Sequence, residues 1–146
     1  MTHYDEGNYA AKHPQGIIPD QNIAEQIKAK LVDGKISCAA AFQIAEEYRI
    51  SPAEVGQAID LIEIRINKCQ LGLFGYGPQK KIVQPAKHIS EELRKAIETA
   101  CDHDRLSCEA IWEIAQRFNI SKLDASAACE ALNVKISSCQ LGAFGE

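Results

Sequence analysis

Apolar residues recur with a helical period along residues 19–76, break at short polar turns, and recur in the same order seventy residues later. Ile23, Ile27 and Leu31 mark one helical face, with Asp20 placed to cap its start and Gly34 to close it. Ser37 opens a second helix, whose stripe is Ala41, Phe42, Ala45 and Tyr48, with Glu46 and Glu47 outside it. Ser51-Pro-Ala-Glu54 has the form of a capping box with proline at the first helical position, and predicts a third helix almost at once. Its apolar positions Val55, Ile59, Ile62, Ile66 and Cys69 are spaced 4, 3, 4, 3, which predicts a helix running as far as the cysteine. Ile62-Glu-Ile-Arg-Ile-Asn67 also alternates with period two and is β-branched, the pattern of a short strand. Helix is preferred because the spacing continues unbroken from a strong cap. At about 1.5 Å per residue, such diverging helices would hold Cys38 and Cys69 more than roughly 20 Å apart.

Residues 93–145 repeat this pattern. Aligned without a gap on residues 23–75, they are identical at 16 of 53 positions, which makes the chain two copies of one unit. Ser90, Ser107 and Ser121 fall on the cap positions, and Ser121-Lys-Leu-Asp124 is a weaker echo of the capping box. Both copies end in Cys-Gln-Leu-Gly-x-Phe-Gly. Gln70, Gly72 and Phe74, with Gln140, Gly142 and Phe144, are read as a chain stop followed by an apolar plug. The rival reading is a small pocket of backbone amides and glutamine. The expected architecture is all-α, two tandem three-helix units with pseudo-twofold symmetry, or the same with a short strand after each third helix. The expected divisions are an N-terminal arm (1–18), repeat 1 (19–76), a linker (77–88) and repeat 2 (89–146). A unit of about 55 residues is marginal alone, so each should need the other.

The segment from Ala41 to Val55, with Ala45 in mid-helix, Ile50-Ser51 at the turn and Val55 in the next helix, resembles the helix-turn-helix of bacterial transcription regulators. Ala115, Ile120, Ser121 and Ala125 fill the same slots in repeat 2. The resemblance is to a tandem, winged-helix-like DNA-binding domain. It implies DNA contact through the start of each third helix, by Ser51, Glu54 and Gln57 and by Ser121, Lys122 and Ser126.

Charge bears on that implication. The chain carries 16 basic and 20 acidic residues, a net −4. Residues 77–88 carry +3 and are the only basic stretch, so Lys80, Lys81 and Lys87 are the natural phosphate anchors. The third helices offer acid where major-groove readers use Arg, Lys, Asn or Gln. The second reading is therefore an acidic protein-interaction or assembly module, with a protein partner or a second copy of the chain and no nucleic acid.

Six cysteines are present, without CxxC or zinc-finger spacing. Buried packing is the expected role. Cys69 and Cys139 are the pair that packed third helices would bring together, and a cysteine-based metal or redox sensor is the third reading. His3, His13, His88 and His103 are scattered, and no nucleophile–base pair is formed. A non-enzymatic binding protein without a cofactor is expected. No run of 18 apolar residues occurs, and the first fifteen residues lack the order of a signal peptide, so a cytoplasmic chain outside membranes is expected. Tyr4, Asn8 and Tyr9 with His3 and His13 form a polar-aromatic arm, free to wrap a unit or a partner.

Overall fold

The computed structural model describes residues 8–77 and 80–144. Repeat 1 folds as α1 (Gln21–Ala29), β1 (Lys35–Ser37), α2 (Cys38–Tyr48), α3 (Pro52–Leu61) and β2 (Arg65–Asn67). Repeat 2 folds as α4 (Glu91–Ala100), β3 (Arg105–Leu106), α5 (Cys108–Phe118), α6 (Lys122–Ala131) and β4 (Lys135–Ile136). The protein is thus a helical repeat with helix-turn-helix-like units.

The caps are formed by the expected residues. Asp20 accepts the N–H groups of Asn22 and Ile23 at 2.9 and 3.2 Å. Ser37, Ser90, Ser107 and Ser121 each cap their helix through the hydroxyl. The Ser51–Glu54 capping box is reciprocal, at 3.1 Å one way and 3.4 Å the other. Between α2 and α3 the chain turns at Arg49, which takes a left-handed φ of 55°, and the Ile50 N–H returns to the Ala45 carbonyl. Asn119 does the same between α5 and α6.

Three sequence expectations are corrected. α1 stops at Ala29, short of Leu31, and a tight turn follows at Asp33 and Gly34, both with positive φ. The third helices also stop early, so the fold is mixed rather than all-α. At the end of α3, Glu63 takes φ 59°, its N–H returns to Asp60 O, and the Ile64 N–H returns to Ile59 O. Asn133 and Val134 repeat this pair of bonds at the end of α6. A left-handed residue ends a helix wherever the backbone bonds are satisfied, and here it is neither a glycine nor at Gly72 or Gly142. The alternation then prevails over the 4-3 spacing. β2 pairs in parallel with β1, Ile66 opposite Ile36, and β4 pairs with β3, Ile136 opposite Leu106. Such short strands are marginal alone. They persist because these four side chains are buried in the helical core. A winged helix carries an antiparallel hairpin; the described strands pair only in parallel.

The third correction concerns the cysteines. Cys38 follows β1 and Cys69 lies two residues past β2, so strand pairing puts them beyond the same end of one sheet. The expected separation assumed a longer helix and does not hold. In repeat 2 the Cys108 N–H donates to Ser138 O, next to Cys139, at 2.9 Å.

The compact units cut across the repeats. Among the described residues, one unit comprises 8–69 with 140–144, and the other 70–77 with 80–139. Each repeat's closing motif therefore belongs to the unit built from the other repeat. In the first unit Leu141 is buried, and its carbonyl lies where a Cβ on Gly56 of α3 would stand. In the second unit Leu71 and Phe74 are buried, and a Cβ on Gly72 would meet Leu123 of α6 at 2.7 Å. Leu71, Phe74 and Leu141 are thus buried and Phe144 half-buried, each in the unit built from the other repeat.

Leu141→Ala should cost about 2–5 kcal/mol and open α1–α3, which lie in the other repeat. Leu71→Ala should instead open α4–α6. Hydrogen exchange by mass spectrometry on the two variants reads the difference, and loss of protection confined to the mutated repeat would refute the exchange.

Gly56→Ala forces a methyl group into the Leu141 backbone and should destabilise by roughly 2–3 kcal/mol. At the equivalent position, Ser126 is buried and its hydroxyl has no hydrogen-bond partner among the described residues. Ser126→Ala should therefore raise stability by about 1 kcal/mol. Chemical denaturation of both variants checks the opposite signs.

Candidate binding cleft

The third helix of each repeat is the element that the helix-turn-helix resemblance would send into DNA. In the first unit, α3 buries Val55, Gly56, Ala58, Ile59 and Asp60. The segment around Leu141 covers it at Gly56, and the N-terminal arm is tied to its C-terminal end. A short 3-10 helix, Tyr9–Lys12, carries the arm. The N–H groups of Tyr9 and Ala10 donate to the two Glu63 carboxylate oxygens at 3.0 and 2.9 Å. Lys12 Nζ lies 3.0 Å from Asp60 Oδ2 and also donates to Gly142 O at 2.8 Å. His13 Nε2 lies 2.8 Å from the same Asp60 oxygen. The buried Asp60 carboxylate is thus satisfied by two side chains of the arm. The arm wraps its own unit; His3 and Tyr4 lie outside the described residues.

The linker plays the same part in the second unit. Lys81 pairs with both carboxylate oxygens of Glu130 on α6, at 3.0 and 3.1 Å. Gly72 O accepts the N–H groups of Ile82 and Val83, and Ala127 O accepts that of Ala86. Lys81 is therefore committed to an ion pair within its own unit. Lys80 is joined through its backbone to Tyr76, and Lys87 is exposed.

The remaining sequence candidates fall in separate places. Ser51 and Ser121 serve as helix caps. Lys122 Nζ stands 4.4 Å from the centre of the Trp112 ring. Ser126 is buried. Gln70 and Gln140 are half-buried beside their plugs, Phe74 is buried and Phe144 is half-buried. Cys69 is buried and Cys139 half-buried, and no group of three or more metal-binding side chains occurs among the described residues. Cys129 is pushed up to about 12, first by burial and then by the neighbouring Cys101 and Glu130, so it stays a protonated thiol.

Glu54 and Gln57 are brought together, in a cleft of about 330 Å³ within the first unit. The cleft lies where the residues before α1 meet the turn between α2 and α3. Ile23, Ala58 and Leu61 contribute apolar lining, and Asp20, Asn22, Glu54 and Gln57 contribute polar lining. Ile18 and Tyr48 stand on it, 85% and 39% exposed. The sequence signal for this site was weak: Ile18 precedes the first periodic stretch, and Tyr48 reads as a core position. In the second unit a different cleft, of about 400 Å³, lies between α4 and α5, with Lys95, Glu113 and Arg117 on its walls.

No family model matches the chain, and no curated protein or solved structure is significantly similar to it.

The Ala10 N–H, followed by those of Tyr9 and Asn8, holds the Glu63 carboxyl below its ordinary 4.5, against the opposing effect of burial. A carboxylate lowered on docking favours the docked arm in full above its ordinary value. That contribution is lost as pH falls through the lowered value. In a pH titration, the Tyr9 and Ala10 amide resonances should move together below pH 4.5. Glu63→Gln should abolish the movement and speed exchange over the arm. Unchanged amide shifts through that range would contradict the arrangement.

Proposed function

We propose that the chain is a non-enzymatic binding protein whose partner is another protein rather than DNA. The observation that carries this reading is the acidic character of what the third helices leave exposed. α3 and α6 bury one side in their own cores, and segments from the opposite repeat lie against the closing glycine contacts. What they leave exposed near their N-termini includes Glu54 and Asp124, whose charge repels phosphate. A groove-reading helix needs donors for base edges on its exposed first turn, and here that turn presents carboxylates. Two of the cations available for phosphate, Lys81 and Lys122, are engaged within their unit. The unit-1 cleft, with its exposed apolar rim, supports the protein-binding alternative.

The test is a titration of mixed-sequence duplex DNA at low salt, where nonspecific association is strongest. No binding is expected. Association that weakens linearly with the logarithm of salt concentration would overturn the proposal in favour of the DNA-binding reading.

A further inference from the structure

We infer that the unit-1 cleft is the docking site for a basic, apolar peptide segment of the partner, with an arginine or lysine seated beside an aliphatic side chain. The inference rests on the protein-binding reading above and gives it a site and a partner chemistry.

Three features of the cleft define that occupant. The first is charge. Asp20 and Glu54 are both carboxylates, and no lysine, arginine or histidine is among the residues that line the cleft. Both carboxylates accept capping bonds, Asp20 from the start of α1 and Glu54 from the Ser51 N–H and hydroxyl. They therefore present negative charge without losing side-chain freedom when a cation arrives. The second is the apolar surface. Ile18 is 85% exposed, yet it sits beside Tyr48 over a lining that includes Ile23 and Leu61. An aliphatic side chain laid there would cover Ile18, and the Tyr48 ring offers a face to a guanidinium. The third is the neutral polar pair, Asn22 and Gln57, which supplies amide donors and acceptors suited to a peptide backbone. At about 330 Å³ the space suits one or two side chains rather than a folded domain.

The second repeat lacks this combination. Seventy residues on, Ile18, Asp20, Asn22, Tyr48, Gln57 and Leu61 become His88, Ser90, Glu92, Phe118, Ala127 and Ala131. The phenol hydroxyl, both neutral amides and the aliphatic chains of Ile18 and Leu61 are absent there, although the number of carboxylates is unchanged. The duplicated fold is kept while the recognition chemistry belongs to one copy.

The experiment uses the full chain, isotopically labelled, and an end-capped peptide of about a dozen residues built from arginine and leucine. Two control peptides replace arginine by glutamate or leucine by serine. Calorimetry gives affinity and amide shifts give location. The arginine–leucine peptide should bind and shift Ile18, Tyr48 and Gln57, and both controls should bind more weakly. Ile18→Ser should weaken binding roughly tenfold. The residue is exposed, so its loss leaves the fold intact. Glu54→Gln keeps a capping box and should weaken binding about fivefold, with the difference shrinking as salt rises. Equal binding by both variants, shifts centred elsewhere, or no binding of the peptide overturns this inference and leaves the protein-binding reading standing. Duplex DNA binding at low salt together with peptide failure overturns both.

Discussion

The close seat of the Leu141 backbone on Gly56 is the contact on which the organisation of the first unit depends. A three-helix unit of this size has too little interior to bury both sides of its last helix. Here the second side is covered by a chain segment from the other repeat, and a glycine on α3 lets it approach. The second unit is closed by the segment around Leu71 and Phe74, which belongs in sequence to the first repeat. A charged strap then fastens each third helix. Lys12 and His13 on Asp60 do so in one unit, and Lys81 on Glu130 in the other. The two lysines engage acids at equivalent positions, Asp60 and Glu130, although at the repeat offset Lys12 itself falls on Ile82.

Much of this architecture was legible in the chain where its cause is local. A cap serine bonds to an N–H three residues away, so Ser37, Ser51 and Ser107 announce their helices. The turn between α2 and α3 is equally local. The end of α3 was not legible, because Glu63 and Asn133 adopt left-handed conformations without being glycine, and Ile66 satisfies helix and strand patterns alike. Burial of Leu71 and Phe74 could be read from their apolar character. Which core receives them could not, since two copies of one pattern offer two equivalent seats. The cleft was half legible: Glu54 and Gln57 were singled out for position, but their partner Ile18 precedes the periodic region.

The copies have diverged in chemistry more than in shape. Leu31 and Ile59 in one repeat correspond to Cys101 and Cys129 in the other. Cys101 lies close enough to raise the cost of ionising Cys129, already high from burial. These cysteines act as small apolar side chains in place of aliphatic ones. Gly56 and Ser126 differ in the same spirit, with one admitting a backbone and the other burying an unpaired hydroxyl. The fold tolerates these exchanges because the strand pairs and helix caps are retained in both units.

The exchanged tails also set an order in time. As the chain leaves the ribosome, α1, α2 and α3 emerge first, yet the residues that cover Gly56 follow only after the whole of α4–α6. The second unit has all of its described residues once the chain reaches Cys139. The unit synthesised first is therefore completed last, and until then one side of α3 stays open to whatever apolar surface is near. Domains usually fold in the order of synthesis. In this chain, connectivity reverses that order and makes the first unit wait on a segment that follows the second repeat.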